Sequence, residues 1–104
     1  MAKQRLVVRF KAGPTWKSGS VREQPDWDAH AVYVNDLIDR GIFVMGGPFA
    51  DDSGSQSLWE GVDLDEARRI VHDDPFMENG VFELEEIREW TVFVDTLATE
   101  PSHG

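Results

Sequence analysis

The chain of 104 residues contains no cysteine, which excludes disulfides, thiolate catalysis and zinc centres built on sulfur. Positive charge is scarce: 10 Lys and Arg stand against 20 Asp and Glu, a formal net charge of −10. That balance repels phosphate backbones and anionic lipid, so neither a nucleic-acid nor a membrane partner is expected. No apolar run approaches the length of a bilayer span, and residues 1–5 lead into an alternating segment rather than a signal peptide, so a cytoplasmic protein is expected. Histidine is rare as well. His72 projects off the apolar side of its segment and His103 lies in a tail, so with His30 they form no ligand cluster; neither a metal nor a cofactor is expected. The phosphate-loop, dinucleotide and nucleophile-elbow patterns are missing.

What remains is an ordinary globular balance, 40 % hydrophobic and 29 % charged, in a chain long enough for one core and too short for two. A single domain is expected over 1–104, with its core at about 4–95 and a tail over 96–104. Residues 4–10 alternate Arg5, Val7 and Arg9 with Leu6, Val8 and Phe10, the period of a strand with one better-buried face. Residues 11–25 hold Gly13, Pro14, Gly19 and Pro25 among Ser and Thr, which is loop chemistry, bracketed by Trp16 and Trp27. A helix is predicted over 26–40. His30, Tyr33, Val34, Leu37 and Ile38 form its inward stripe, Asp26 is placed to cap it, and Gly41 to end it in a left-handed conformation.

A second strand starts at Ile42 and ends in Gly46-Gly47-Pro48, and a turn over 51–56 joins it to a third strand over 57–62. Asp63 and Glu66 have capping-box spacing for a second helix with Leu64, Ala67, Ile70 and Val71 inward, ending near His72 because Pro75 disfavours helix at Asp74. The last strand is expected over 81–94, bulged near Glu85 and Glu86, with Glu83, Glu85, Glu86 and Glu89 on a solvated face. This order, β-α-β-β-α-β, is that of an α+β, ferredoxin-like split βαβ fold: a four-stranded antiparallel sheet with two helices on one face. Val7, Phe43, Met45 and Trp59 fall opposite the better-buried residues of their strands, which predicts a second subunit on the bare face and a ligand cavity between two sheets.

Two residues invite a chemical reading. His30 can take and return a proton near neutral pH, or it can be a core histidine with satisfied ring nitrogens. Asp74 sits where a carboxylate opposes a helix dipole; it can cap the short turn that Pro75 opens, and if it reaches His30 it fixes the ring's tautomer. Gly46 and Gly47 permit close backbone approach and positive φ at a pocket floor, and Ser57, across the hairpin, can add a hydroxyl.

His30, Gly46-Gly47-Pro48, Leu64-Asp65-Glu66-Ala67 and Asp74-Pro75-Phe76 before Gly80-Val81 together resemble the YCII-related (YciI-like) family over about residues 6–93. The resemblance implies a ferredoxin-like dimer, the dimeric α+β barrel, in which His30 and Asp74 match a histidine–aspartate pair put forward as the family's active site. It also implies small-molecule chemistry: one relative is a dehydrochlorinase on a hydroxylated aromatic, and muconolactone isomerases share the barrel. The longer first loop departs from the family, so no loop contribution to a pocket carries over. The expected protein is therefore a homodimeric small-molecule enzyme of lyase, isomerase or dehalogenase type, using His30 and Asp74 for proton transfer and Gly46, Gly47 and Ser57 for substrate binding. The alternative is a non-catalytic small-ligand-binding or protein-interaction module in which His30 recognises a ligand or fills the core.

Overall fold

β1 (Lys3–Ala12) is the axis of the computed structural model, which describes residues 3–97; the rest of the expected tail, with His103, lies outside the described residues. The chain continues through a 3-10 turn (Val21–Glu23), α1 (Trp27–Asp39), β2 (Phe43–Pro48), β3 (Gly54–Trp59), α2 (Leu64–His72), α3 (Pro75–Glu78) and β4 (Phe82–Val92). The sheet runs β2-β3-β1-β4 with every pair antiparallel, the expected ferredoxin-like order with one extra helical turn. No helix among the described residues is long and apolar enough to cross a membrane.

Alternation along β1 sorts its residues as expected. Leu6, Val8 and Phe10 are buried under the helices, while Arg5, Val7 and Arg9 take the outer face. Leu37 of α1, Ala67, Ile70 and Val71 of α2, and Phe76 of α3 close over them, each helix burying its apolar side. Asp63 accepts a hydrogen bond from the amide of Glu66 at 2.8 Å, which caps α2 as its spacing predicts, and Gly41 adopts φ +75° at the end of α1. The inward stripe of α1 stops short: Ile38 is 49 % exposed, and with β2 residues it lines a cavity between α1 and the sheet.

Two strand faces differ from expectation. β3 starts at Gly54, earlier than predicted, and ends at Trp59. Trp59 pairs with Leu6 and is 3 % exposed, so it faces the helices, not the bare side. In β2 a register shift between Phe43 and Met45 makes Val44 an extra residue; Phe43 then joins Trp59 on the helix side and Met45 pairs with Leu58 on the other. The outer face is thus less apolar than expected: Val7, Leu58, Met45 and Trp90 lie among Arg5, Arg9, Glu86 and Arg88. The bulge in β4 falls at Glu85, where expected, and the acidic run is split by it: Glu83 pairs with Lys11 at 3.4 Å and Glu86 with Arg9 at 3.6 Å.

The long first loop is tied down rather than free. The amide of Gly13 donates to Val81 O at 2.8 Å, and a Cβ there would lie 2.2 Å from Gly80 O, so only glycine fits. Trp16 stacks on Phe82, 6.2 Å between centroids. Gln24, 3 % exposed, brackets the loop: its Oε1 accepts from Lys17 N at 2.7 Å, and its Nε2 donates to Lys17 O at 2.7 Å and Ser20 O at 3.1 Å. Gln24→Ala strands those buried groups, so urea unfolding is expected to show a loss of about 1–3 kcal/mol; an unchanged midpoint would mean that the Gly13 and Trp16 contacts suffice to hold the loop.

Candidate active site

α1 starts from Asp26, a residue in the left-handed region (φ 66°), and its carboxylate does not cap the helix as expected. Instead Asp26 Oδ2 accepts from Asn79 Nδ2 at 2.9 Å, and the same nitrogen donates to Pro25 O at 3.1 Å. The start of α1 is thereby fastened to the end of α3. One turn into α1, His30 Nδ1 lies 2.8 Å from Asp74 Oδ1. A carboxylate only accepts, so Nδ1 carries the hydrogen, and in the neutral imidazole Nε2 then holds the lone pair. The ring lies flat on Phe76, with centroids 4.0 Å apart and planes 8° from parallel, and meets the edge of Phe82 at 5.7 Å. Nε2 has no hydrogen-bond partner among the described residues, and no sealed side-chain polar atom among them is unpaired. That nitrogen is the open end of the ring.

Asp74 fills both roles that the sequence offers. Its backbone is extended (φ −65°, ψ 129°), Pro75 opens α3 behind it, and Oδ1 also accepts from the amide of Phe76 at 2.9 Å. The carboxylate thus leaves α2's axis and points at donors, which relieves its conflict with that helix's dipole. Tyr33, one turn beyond His30, donates its hydroxyl to Ile70 O at 2.7 Å and so joins α1 to the end of α2. Burial, then the Asp73 and Asp74 carboxylates, push its phenol from 10.0 up to about 12.

These groups border a cavity of about 300 Å³ between α1 and the sheet. His30, Asp74, Gly46, Gly47 and Ser57 all line it, with Phe10, Phe43, Trp59 and Phe82 as apolar walls. It lies on the helix side within one chain, not between two sheets, because Trp59 and Phe43 turned inward. Gly46 and Gly47 do not adopt positive φ. Gly46 is needed for space, since a Cβ would stand 2.6 Å from the Phe43 ring and 2.7 Å from Ser57 Cβ; at Gly47 a Cβ would meet nothing. Ser57 is 7 % exposed and its Oγ accepts from Trp59 Nε1 at 2.9 Å. His72 is exposed, and no group of metal-ligating side chains exists among the described residues.

Tyr33, Asn79 and the Ser57–Trp59 bond had no roles in the sequence reading. Tyr33 was visible only as part of a stripe, because its partner lies 37 residues away, and the partner of Asn79 lies 53 residues away.

Three outcomes test this geometry. Asp74→Ala removes the cap and is expected to cost about 0.5–2 kcal/mol in denaturant melts, whereas Asp74→Asn keeps an acceptor for Phe76 but can also donate to the ring. Long-range 15N spectra should therefore show one neutral tautomer, protonated at Nδ1, in the wild type and a mixture in Asp74→Asn; a mixture in both would remove the carboxylate's role. For Tyr33 the folded value lies above the unfolded one, so its stabilising contribution is complete below pH 10 and is lost as pH rises through about 12. Tyr33→Phe should flatten the fall in melting temperature across that window.

Comparison with known proteins agrees with this architecture. A solved structure similar to this chain is the 5-chloro-2-hydroxyhydroquinone dehydrochlorinase from Burkholderia phenoliruptrix in complex with 2,5-dihydroxybenzoquinone, at 27 % identity and a TM-score of 0.60, covering 82 % of this chain and 92 % of that one. No curated protein matches. The model of the YCII-related domain matches residues 12–91, a span that takes in His30 and Asp74, and the chain belongs to that family.

Proposed function

We propose that the chain is a small-molecule enzyme, working as a cytoplasmic homodimer, that moves a proton on a hydroxylated ring with His30 as base and Asp74 as its orienting partner. One observation carries the reading: His30 Nδ1 is held 2.8 Å from Asp74, and both residues line an apolar cavity of about 300 Å³. An apolar cavity of about 150 Å³ holds benzene. The larger volume suits one substituted ring, not a peptide or dinucleotide. The dehydrochlorinase to which the chain is similar was solved with such a ring, 2,5-dihydroxybenzoquinone, which supports the same substrate class.

The chemistry follows from the pair. Nε2 takes a hydroxyl proton, and Asp74 stabilises the imidazolium that forms. In the keto tautomer of a chlorinated hydroxyhydroquinone the C–Cl carbon is tetrahedral. Removing an enol hydroxyl proton turns the O–H pair into a C=O bond, shifts the adjoining C=C pair to the C–Cl carbon and expels chloride with the C–Cl pair. One proton and one chloride leave, and no oxidant is consumed. The same base, returning its proton to carbon, would serve an isomerase. The outer sheet face, with Val7, Leu58, Met45 and half-exposed Trp90, supports the homodimer.

A second reading has its own support. A histidine flat on Phe76 and bonded to a capping aspartate is also what a structural clamp requires. Chloride release from 5-chloro-2-hydroxyhydroquinone separates the two. An enzyme should lose about 10²–10⁴-fold in kcat/KM on His30→Ala, and less on Asp74→Asn. Ring binding without turnover, and a His30→Ala variant that only melts earlier, would favour the clamp.

A further inference from the structure

The two walls of the cavity differ in hydrogen-bonding sense, and the difference deepens the reading above, on which it rests. On the helix wall, the neutral ring of His30, with its Nδ1 hydrogen committed to Asp74, offers its acceptor at Nε2. On the sheet wall, Ser57 presents the reverse. Its Oγ accepts the Trp59 indole N–H at 2.9 Å, and an indole nitrogen can only donate, so the direction of that bond is fixed. The bond occupies Ser57 as an acceptor and leaves its own hydroxyl hydrogen without an acceptor among the described residues. Ser57 is 7 % exposed and Trp59 3 %, and both line the cavity, so bulk water is a poor substitute for a partner. Glycine at position 46, where a Cβ would stand 2.7 Å from Ser57 Cβ, keeps the space beside that hydroxyl free.

We infer that Ser57 recognises an acceptor oxygen of the ligand and that Trp59 is its positioning residue, so the cavity selects a ring bearing a hydroxyl toward His30 and a carbonyl or phenolate oxygen toward Ser57. A ring without the second oxygen leaves a buried hydroxyl donor unanswered and is bound more weakly. Trp59 acts through Ser57: its N–H holds the hydroxyl in the rotamer that points its hydrogen away from the indole. When Ser57 donates to a ligand oxygen, its Oγ becomes a better acceptor, and the indole bond tightens with it.

The test uses two rings of matched shape, 4-hydroxyacetophenone and 4-ethylphenol, which differ by one acceptor oxygen, with 2,5-dihydroxybenzoquinone as a third probe. Calorimetry on the wild type should show about tenfold tighter binding of the ketone than of 4-ethylphenol. Ser57→Ala should abolish the preference. Because that variant strands the indole N–H, the double variant Ser57→Ala/Trp59→Phe is measured beside it and should lose the preference equally. Trp59→Phe alone should reduce it, since the hydroxyl then rotates freely. The Trp59 indole proton, identified by its loss in Trp59→Phe, should move downfield with the ketone and not with 4-ethylphenol, a shift that a purely structural tryptophan would not show. Equal binding of the two rings by the wild type, binding of neither, or a preference that survives Ser57→Ala would overturn the inference. If 2,5-dihydroxybenzoquinone still binds in those cases, the proton-transfer reading is left to chloride release to decide; if no ring binds, both fall.

Discussion

A single carboxylate oxygen, Oδ1 of Asp74, accepts two hydrogen bonds, from the ring of His30 at 2.8 Å and from the amide of Phe76 at 2.9 Å. Asp74 is 5 % exposed, and a carboxylate removed from water at that depth is tolerable only when its lone pairs are answered. The two donors come from different helices, so satisfying the oxygen fixes α1 against the start of α3. The same cap that turns Phe76 into the core places its ring flat under His30. Tyr33 and Asn79 then repeat the link on either side, to Ile70 O and to Asp26. Helix-layer packing and orientation of the imidazole are therefore one arrangement, which is why a clamp and a base are hard to tell apart by geometry and easy to tell apart by turnover.

Much of this was legible in the chain. Helix periodicity found α1 and α2, the Asp63–Glu66 spacing found a cap, and strand alternation found the buried side of β1. Faces of the hairpin strands were not legible, for a physical reason. Alternation says which residues share a face but not which face is covered; that depends on register against a neighbour. Trp59 faces the core because it pairs with Leu6, and its indole N–H can be buried there only because Ser57 supplies an acceptor two residues back. At Val44 the alternation itself breaks, and the residues on either side of the bulge take opposite faces.

The site was legible in part. His30 and Asp74 could be named from residue type, placement and family resemblance, but the sequence offered cap and histidine partner as alternatives for Asp74, and the fold uses both. The glycines illustrate the limit of local reasoning. Gly46 and Gly47 look equivalent in the chain, yet only Gly46 is hemmed in by Phe43 and Ser57, because the two residues face opposite sides of an edge strand.

That edge has a further consequence. β2 is the last strand on its side of the sheet, and it forms one lip of the cavity. A bare strand edge ordinarily invites another chain to add to the sheet, and such an addition here would lie directly beside the cavity wall. The extra residue at Val44 bends this edge, and Pro48 offers no amide hydrogen to extend a ladder. The features that spoil β2 as a template for aggregation thus sit in the same strand that supplies a wall of the cavity.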